Sequence, residues 1–311
     1  MEQKIALVST FNNSTKEIES FIEYHIHIGF SNLFLFFDDP NDLGIKIASK
    51  YKNVTVIKRD SDLEKKWKET SFYEREKKVL AIEPLSRELL NISVAIKMAK
   101  KINIDWIINL NMNELFYLKN KNLQDHFKEL NDMKIDSVRY SNFEALPEKF
   151  DIDDKFKEVK LFKKNHTFVG NKKLLNDKNH FINYIHGRCS AKISNDLEPV
   201  GLHSYNKTHF YCEGYPIILN YYCCGYEAFL KNFYDIGLFN PKWITNDAIN
   251  KKFPFYKQAR DIIFEGNEEK IKQFYKEKVM MFSDDVKKYL LSDNLLCEIN
   301  EPSEILKSKN K

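Results

Sequence analysis

Four short apolar runs, at 4–9 (KIALVS), 32–37 (NLFLFF), 54–58 (VTVIK) and 106–110 (WIINL), each open onto polar residues and alternate with segments of helical periodicity. Continuous apolar runs of strand length suit strands covered on both faces, and strands joined through a helix in this way run parallel. In the first helical segment, 15–28, Ile18, Phe21, Ile22, His25 and Ile28 recur at three- and four-residue spacing, and Gly29 stops the helix. A second helix is expected near 43–50, a charged segment follows at 61–78, and a third helix at 84–101 presents Leu85, Leu89, Ile92, Ile96 and Ala99 on one face. The pattern predicts an α/β fold with an open, doubly wound sheet, whose strands end on one edge where ligands bind.

Beyond residue 118 the alternation loosens. Further strands are expected at 134–143, 160–169, 186–193 and 216–222, and helices at 227–233 and 268–281. With no internal repeat and no low-complexity linker, the expected organisation is a sheet domain over 1–222 and a mostly helical extension over 223–311 packed on it. The terminal LKSKNK, 306–311, is expected to be disordered.

Forty-nine basic and 45 acidic residues give a net charge of +4 with both signs mixed along the chain, which argues against a nucleic-acid partner. No run approaches the roughly 18 apolar residues of a membrane span, and the opening MEQKIALVST is too soon polar for a signal peptide. The five cysteines, Cys189, Cys212, Cys223, Cys224 and Cys297, form no CxxC pair, so a reducing, cytoplasmic setting is expected.

The stretch IDWIINLNMNELFYL, 104–118, is the most suggestive of chemistry: its strand ends in Asn109, Asn111, Asn113 and Glu114. Asn12 and Asn13 follow the first run, and Asp38, Asp39 and Asp42 follow the second. Singly, such residues form turns and helix caps. Three clusters on one sheet edge point to a ligand site, and oxygens at a strand end are how a divalent cation is offered to a phosphate.

The blocks STFNNSTKEIESFIEYHIHIGFSNLFLFFDDPND, LSRELLNISVAIKMAKKINIDWIINLNMNELF, HGRCSAKISNDLEPVGLHSY and FYKQARDIIFEGNEEKIKQFYKEKV resemble, in order, those of GT-A-fold glycosyltransferases of the family-2-like and family-92-like type. The resemblance covers about residues 1–280 and implies a Rossmann-like mixed sheet flanked by helices. It implies that Thr10, Asn12, Asp38 and Asp39 line the base and ribose pocket of an activated sugar, and that Arg87 and Asn91 place its phosphates or sugar.

At Asn111, Met112, Asn113 and Glu114 the relatives read D-x-D-E, a manganese or magnesium motif; here two formal charges are gone and Glu114 retains one. His203 matches a histidine implied as a metal or diphosphate contact, whereas Asn220-Tyr221 stands where relatives read H-Y. Glu144 is implied as the base that deprotonates the acceptor, and Arg188 and Lys192 as neutralisers of the leaving diphosphate. The implied activity is hexosyl transfer from a nucleotide sugar, UDP-linked first among them, to a glycan or protein hydroxyl, with weakened or absent metal dependence. The alternative is a degenerate member that keeps the fold as a binding or scaffold module.

Overall fold

A computed structural model describes residues 2–11, 17–165, 181–182, 184–237, 254–280 and 284–309. The chain divides into two compact units, one formed by 1–141 with 186–218 and the other by 142–185 with 219–311. The segment 142–185 therefore groups with the C-terminal helices, not with the sheet that precedes it in sequence.

In the first unit the expected alternation is present: β1 (Ile5–Phe11), α1 (Ile18–His27), β2 (Asn32–Phe37), α2 (Gly44–Ala48), β3 (Val54–Lys58), α3 (Ser61–Lys68), α4 (Tyr73–Glu76), α5 (Pro84–Lys101) and β4 (Trp106–Asn109). The charged segment thus folds as two helices. Asp60 caps α3 by accepting from the amides of Asp62 and Leu63, and the pair Leu63 and Trp67 forms its buried stripe. Pro84 opens α5, and every residue from Ser86 to Ile96 is buried, as a helix covered on all sides requires.

After β4 come β5 (Glu114–Tyr117), α6 (Leu123–Asp132) and β6 (Ser137–Tyr140); the chain later returns through β9 (Arg188–Lys192) and β10 (Phe210–Tyr211). Seven strands form one sheet in the order β10-β6-β9-β4-β1-β2-β3. The strands from β4 through β3 are mutually parallel, while β9 runs antiparallel between β4 and β6. This is a mixed α/β sheet flanked by helices. On one face Val8, Phe34 and Phe36 pack with Trp67, Leu90 and Val94, and each such burial stabilises by roughly 1.5–3 kcal/mol.

An aromatic cluster, Phe11, Phe21, His25, Phe30 and Phe116, fills a second region of this unit, with Phe21 and His25 ring centroids 4.4 Å apart. His25 is wholly buried: its Nδ1–H donates to the Phe21 carbonyl and its Nε2 accepts from the Phe116 amide. Gly187, at φ +64°, precedes β9, and a Cβ there would lie 1.9 Å from the Tyr140 carbonyl oxygen. Only glycine fits so close an approach, which sets the register that places Arg188 opposite Tyr140.

The second unit contains β7 (Asn142–Ala145), α7 (Lys155–Glu158) and β8 (Leu161–Lys163). After β11 (Ile217–Asn220), along which the chain passes from the first unit to the second, follow α8 (Tyr226–Gly237), α9 (Pro254–Glu265), α10 (Glu268–Lys278), α11 (Asp284–Ser292), β12 (Leu296–Glu298) and α12 (Glu301–Ser308). Phe229, Phe233, Phe255 and Tyr275 form its helical core, and β8 pairs antiparallel with β7 and β12. Leu306, expected in a disordered tail, is buried in α12, so order extends through Ser308. Part of the strand expected at 160–169 lies outside the described residues. No helix among the described residues is long and apolar enough to cross a membrane.

Burial lowers the His25 pKa from 6.5 to about 3, the Phe21 carbonyl opposing in part. Between those values the unfolded chain binds more protons, so this contribution is complete above pH 6.5 and is lost as pH falls toward about 3. Urea unfolding of wild type and His25→Gln at a series of pH values checks this: the wild type is expected to lose stability relative to the variant as the solution is acidified, and parallel curves would contradict it.

Candidate functional site

The parallel register aligns Phe11 of β1 with Phe37 of β2 and Val8 with Asn109 of β4, so Asp38 and the 111–114 turn emerge on one edge. Because β9 runs the other way, with Ser190 opposite Ile108, its first residue reaches that same edge. The edge therefore gathers Thr10, Asp38, Asp39, Asn109, Asn111, Asn113, Glu114 and Arg188, with α5 supplying side chains from its first turns.

Asp38 and Arg87 form a buried ion pair. The Arg87 Nε–H donates at 2.8 Å to both carboxylate oxygens, Nη2 adds a further bond to Oδ2, and Nη1 donates to the Leu80 carbonyl at 2.7 Å. One turn later Asn91 receives the Trp67 Nε1–H on Oδ1 at 2.8 Å and donates from Nδ2 to Thr10 Oγ1 at 3.1 Å. Arg87 and Asn91 are thus brought beside Asp38 and Thr10, but both amide groups of Asn91 are engaged by protein. Asp39 is half-buried and its Oδ1 takes the Asn41 amide, a local turn bond.

The turn after β4 is closed on itself. Asn111 Oδ1 accepts from the backbone amide and the Nδ2 of Asn113, at 3.0 and 3.1 Å. Glu114, 1% exposed, takes the Asn111 amide at 2.8 Å and the Arg188 guanidinium in a fork, Nε to Oε2 at 2.9 Å and Nη2 to Oε1 at 3.2 Å. Arg188 also donates from Nη1 to the Leu202 carbonyl at 2.8 Å. His203 donates from Nδ1 to the Gly187 carbonyl at 3.0 Å, and burial, with Arg188 nearby, drives its pKa well down, so it is neutral near pH 7.

One acid in the cluster lies outside the sequence expectations. Glu88, 8% exposed, accepts on Oε1 from Asn109 Nδ2 at 2.9 Å; Asn109 also donates to the Leu202 carbonyl at 3.1 Å. Burial raises the Glu88 pKa, with Arg188 and the Asn109 bond acting against it and Glu114 and Asp38 adding to it. Its signal in the sequence was an acid inside the apolar run following Arg87, where a solvated helix face would not place one.

Other expected residues lie elsewhere. Lys192 is exposed and opposite Trp106, at the start of β4, so four residues of strand, roughly 13 Å, separate it from Arg188. Glu144 belongs to the second unit, 1% exposed, paired with Lys163 Nζ and accepting the Ile182 amide at 3.0 Å. Asn220 takes the Tyr222 amide on Oδ1 at 3.0 Å. Asn12 lies outside the described residues.

These residues do not fit a hard divalent cation at the turn. Such an ion needs carboxylate charge and open oxygens, whereas the Asn111 oxygen already holds two donors and the one carboxylate is forked to a guanidinium. Among the described residues no group of three or more His, Cys, Asp or Glu side chains is arranged to hold a metal.

No family model matches the sequence. Two proteins of Arabidopsis thaliana, each named glycosyltransferase-like, are similar to it. One is 26% identical over 98% of this chain and 72% of its own length; the other is 27% identical over 66% of this chain and 44% of its own length. The chain therefore spans less than half of that second relative. Among solved structures, HddC from Yersinia pseudotuberculosis aligns with a TM-score of 0.31 at 14% identity, covering 71% of this chain and 93% of its own. Mouse xyloside xylosyltransferase 1 in its apo form aligns with a TM-score of 0.25 at 14% identity, covering 84% and 80%. Superpositions this loose carry no residue correspondence.

Removing one member of a buried ion pair strands the other, at a cost of about 3–5 kcal/mol. Arg188→Met is expected to lose stability on that scale in urea unfolding, and Glu114→Gln added to it is expected to recover part of the loss. Equal losses in the single and double variants would show that the two groups do not act as a pair.

Proposed function

We propose that the chain is a glycosyltransferase that moves a hexosyl group from a nucleotide sugar, UDP-linked first among the candidates, to a hydroxyl of a glycan or protein. The observation that carries this reading is the similarity across 98% of the chain to a relative named glycosyltransferase-like. The edge described above supports it: a parallel α/β sheet binds ligands at its carboxyl ends, and two guanidiniums, Arg87 and Arg188, stand there.

In this reading Thr10, Asn12, Asp38 and Asp39 border the nucleoside, and Arg87 with Asn91 orders the approach to the phosphates. Arg188 supplies positive charge near the leaving diphosphate, in a site whose closed turn takes no divalent cation. The buried pairing of Glu144 with Lys163 suits a structural carboxylate in the second unit. The closed turn also favours a second reading, a module that binds a nucleotide sugar without transferring it.

Calorimetric titration of the full chain with UDP-, GDP- and CMP-sugars, in EDTA and then with manganese, tests both. Binding of one donor class is expected, with affinities in the two conditions agreeing within about threefold. Failure to bind any donor in either condition would sink the proposal, and binding with no transfer or hydrolysis would select the module.

A further inference from the structure

The carboxyl edge holds more acids than ion-pair partners. Asp38 is forked to Arg87 and Glu114 to Arg188. Glu88, on which both neighbouring carboxylates and Arg188 act, forms no ion pair among the described residues. Its Oε1 receives the Asn109 amide, while Oε2 has no hydrogen-bond partner among the described residues and is not sealed from solvent. The amide beside it is also unfinished: Asn109 is 3% exposed and its Oδ1 is buried without a partner among the described residues.

Resting on the glycosyl-transfer reading, we infer that Glu88 is the proton acceptor for the hydroxyl that attacks the donor sugar, with Asn109 holding its carboxylate in place through Oε1. For a direct displacement the atoms balance as follows. The acceptor O–H bond breaks and its proton passes to Oε2 of Glu88 as the acceptor oxygen bonds to the anomeric carbon. The bond from that carbon to the phosphate oxygen breaks, and the nucleoside diphosphate leaves with the electron pair.

Three features suit Glu88 to this role. A carboxylate outside an ion pair keeps most of its basicity, and the lowering by Arg188 is outweighed by burial. Burial raises its proton affinity toward the working range of a general base. An anchored Oε1 leaves the other oxygen oriented without further ordering, which is how a positioned base gains over a free one. Glu144, by contrast, has both oxygens engaged, Oε1 by Lys163 Nζ and Oε2 by the Ile182 amide.

Glu88→Gln keeps an oxygen for Asn109 and removes the base, so it separates proton transfer from folding. With wild type turning over its donor, the variant is expected to fold with an unchanged unfolding midpoint and to bind the nucleoside diphosphate within threefold of wild type. Its kcat is expected to fall at least about 100-fold, the usual contribution of a general base, and the acid limb of the wild-type pH–rate profile is expected to vanish. If the variant retains kcat within threefold, or keeps the acid limb, or if Glu144→Gln alone abolishes that limb, the assignment of Glu88 is overturned while glycosyl transfer stands. A wild type that binds donor without turnover overturns the catalytic role of Glu88, and one that binds no donor removes both readings.

Discussion

The fork between Glu114 and Arg188 is the interaction on which the carboxyl edge depends. It joins the turn after β4 to the antiparallel strand β9, and the same carboxylate holds the Asn111 amide, so one side chain fixes the turn and the neighbouring strand together. A pair this buried carries a large desolvation cost, which only good geometry and extra hydrogen bonds offset. Both are present, since Arg188 also reaches the Leu202 carbonyl. Gly187 contributes by permitting the close approach to Tyr140 that places Arg188 where Glu114 can receive it.

Two of the carboxylates at this edge are compensated within the protein. Asp38 meets Arg87, Glu114 meets Arg188, His203 is kept neutral, and Asn111 Oδ1 takes both the backbone and side-chain N–H of Asn113. A site that relies on a divalent cation is built the other way, with carboxylate charge left uncompensated until the ion arrives. Amides in the turn and Arg188 on its glutamate therefore agree with each other: neither leaves carboxylate charge open for an ion. Glu88 is the buried carboxyl of this edge that forms no ion pair among the described residues, which is why proton transfer is assigned there.

Much of the first unit was legible in the sequence because local periodicity and burial agree there. The strands at 32–37 and 54–58 and the helix at 84–101 have the expected bounds. What local pattern does not encode is which strands become neighbours. The antiparallel insertion of β9 between β4 and β6 decides that Arg188 joins the edge while Lys192 lies at the far end, and two basic residues on one strand look alike until that direction is known. The run 134–143 breaks at Ser141 because the chain there passes from one unit to the other. Local pattern does not single out Glu88, whose partner Asn109 is 21 residues away, nor does it show that Leu306, in LKSKNK, has a core to enter.

The turn at 111–114, closed by its own hydrogen bonds and by Arg188, offers a divalent cation no open carboxylate. Electron paramagnetic resonance of manganese titrated into the full chain measures this directly. The free-manganese signal is expected to be unchanged by the wild type and to fall when Asn111→Asp and Asn113→Asp are introduced together. Stoichiometric manganese binding by the wild type that Asn113→Ala abolishes would contradict it.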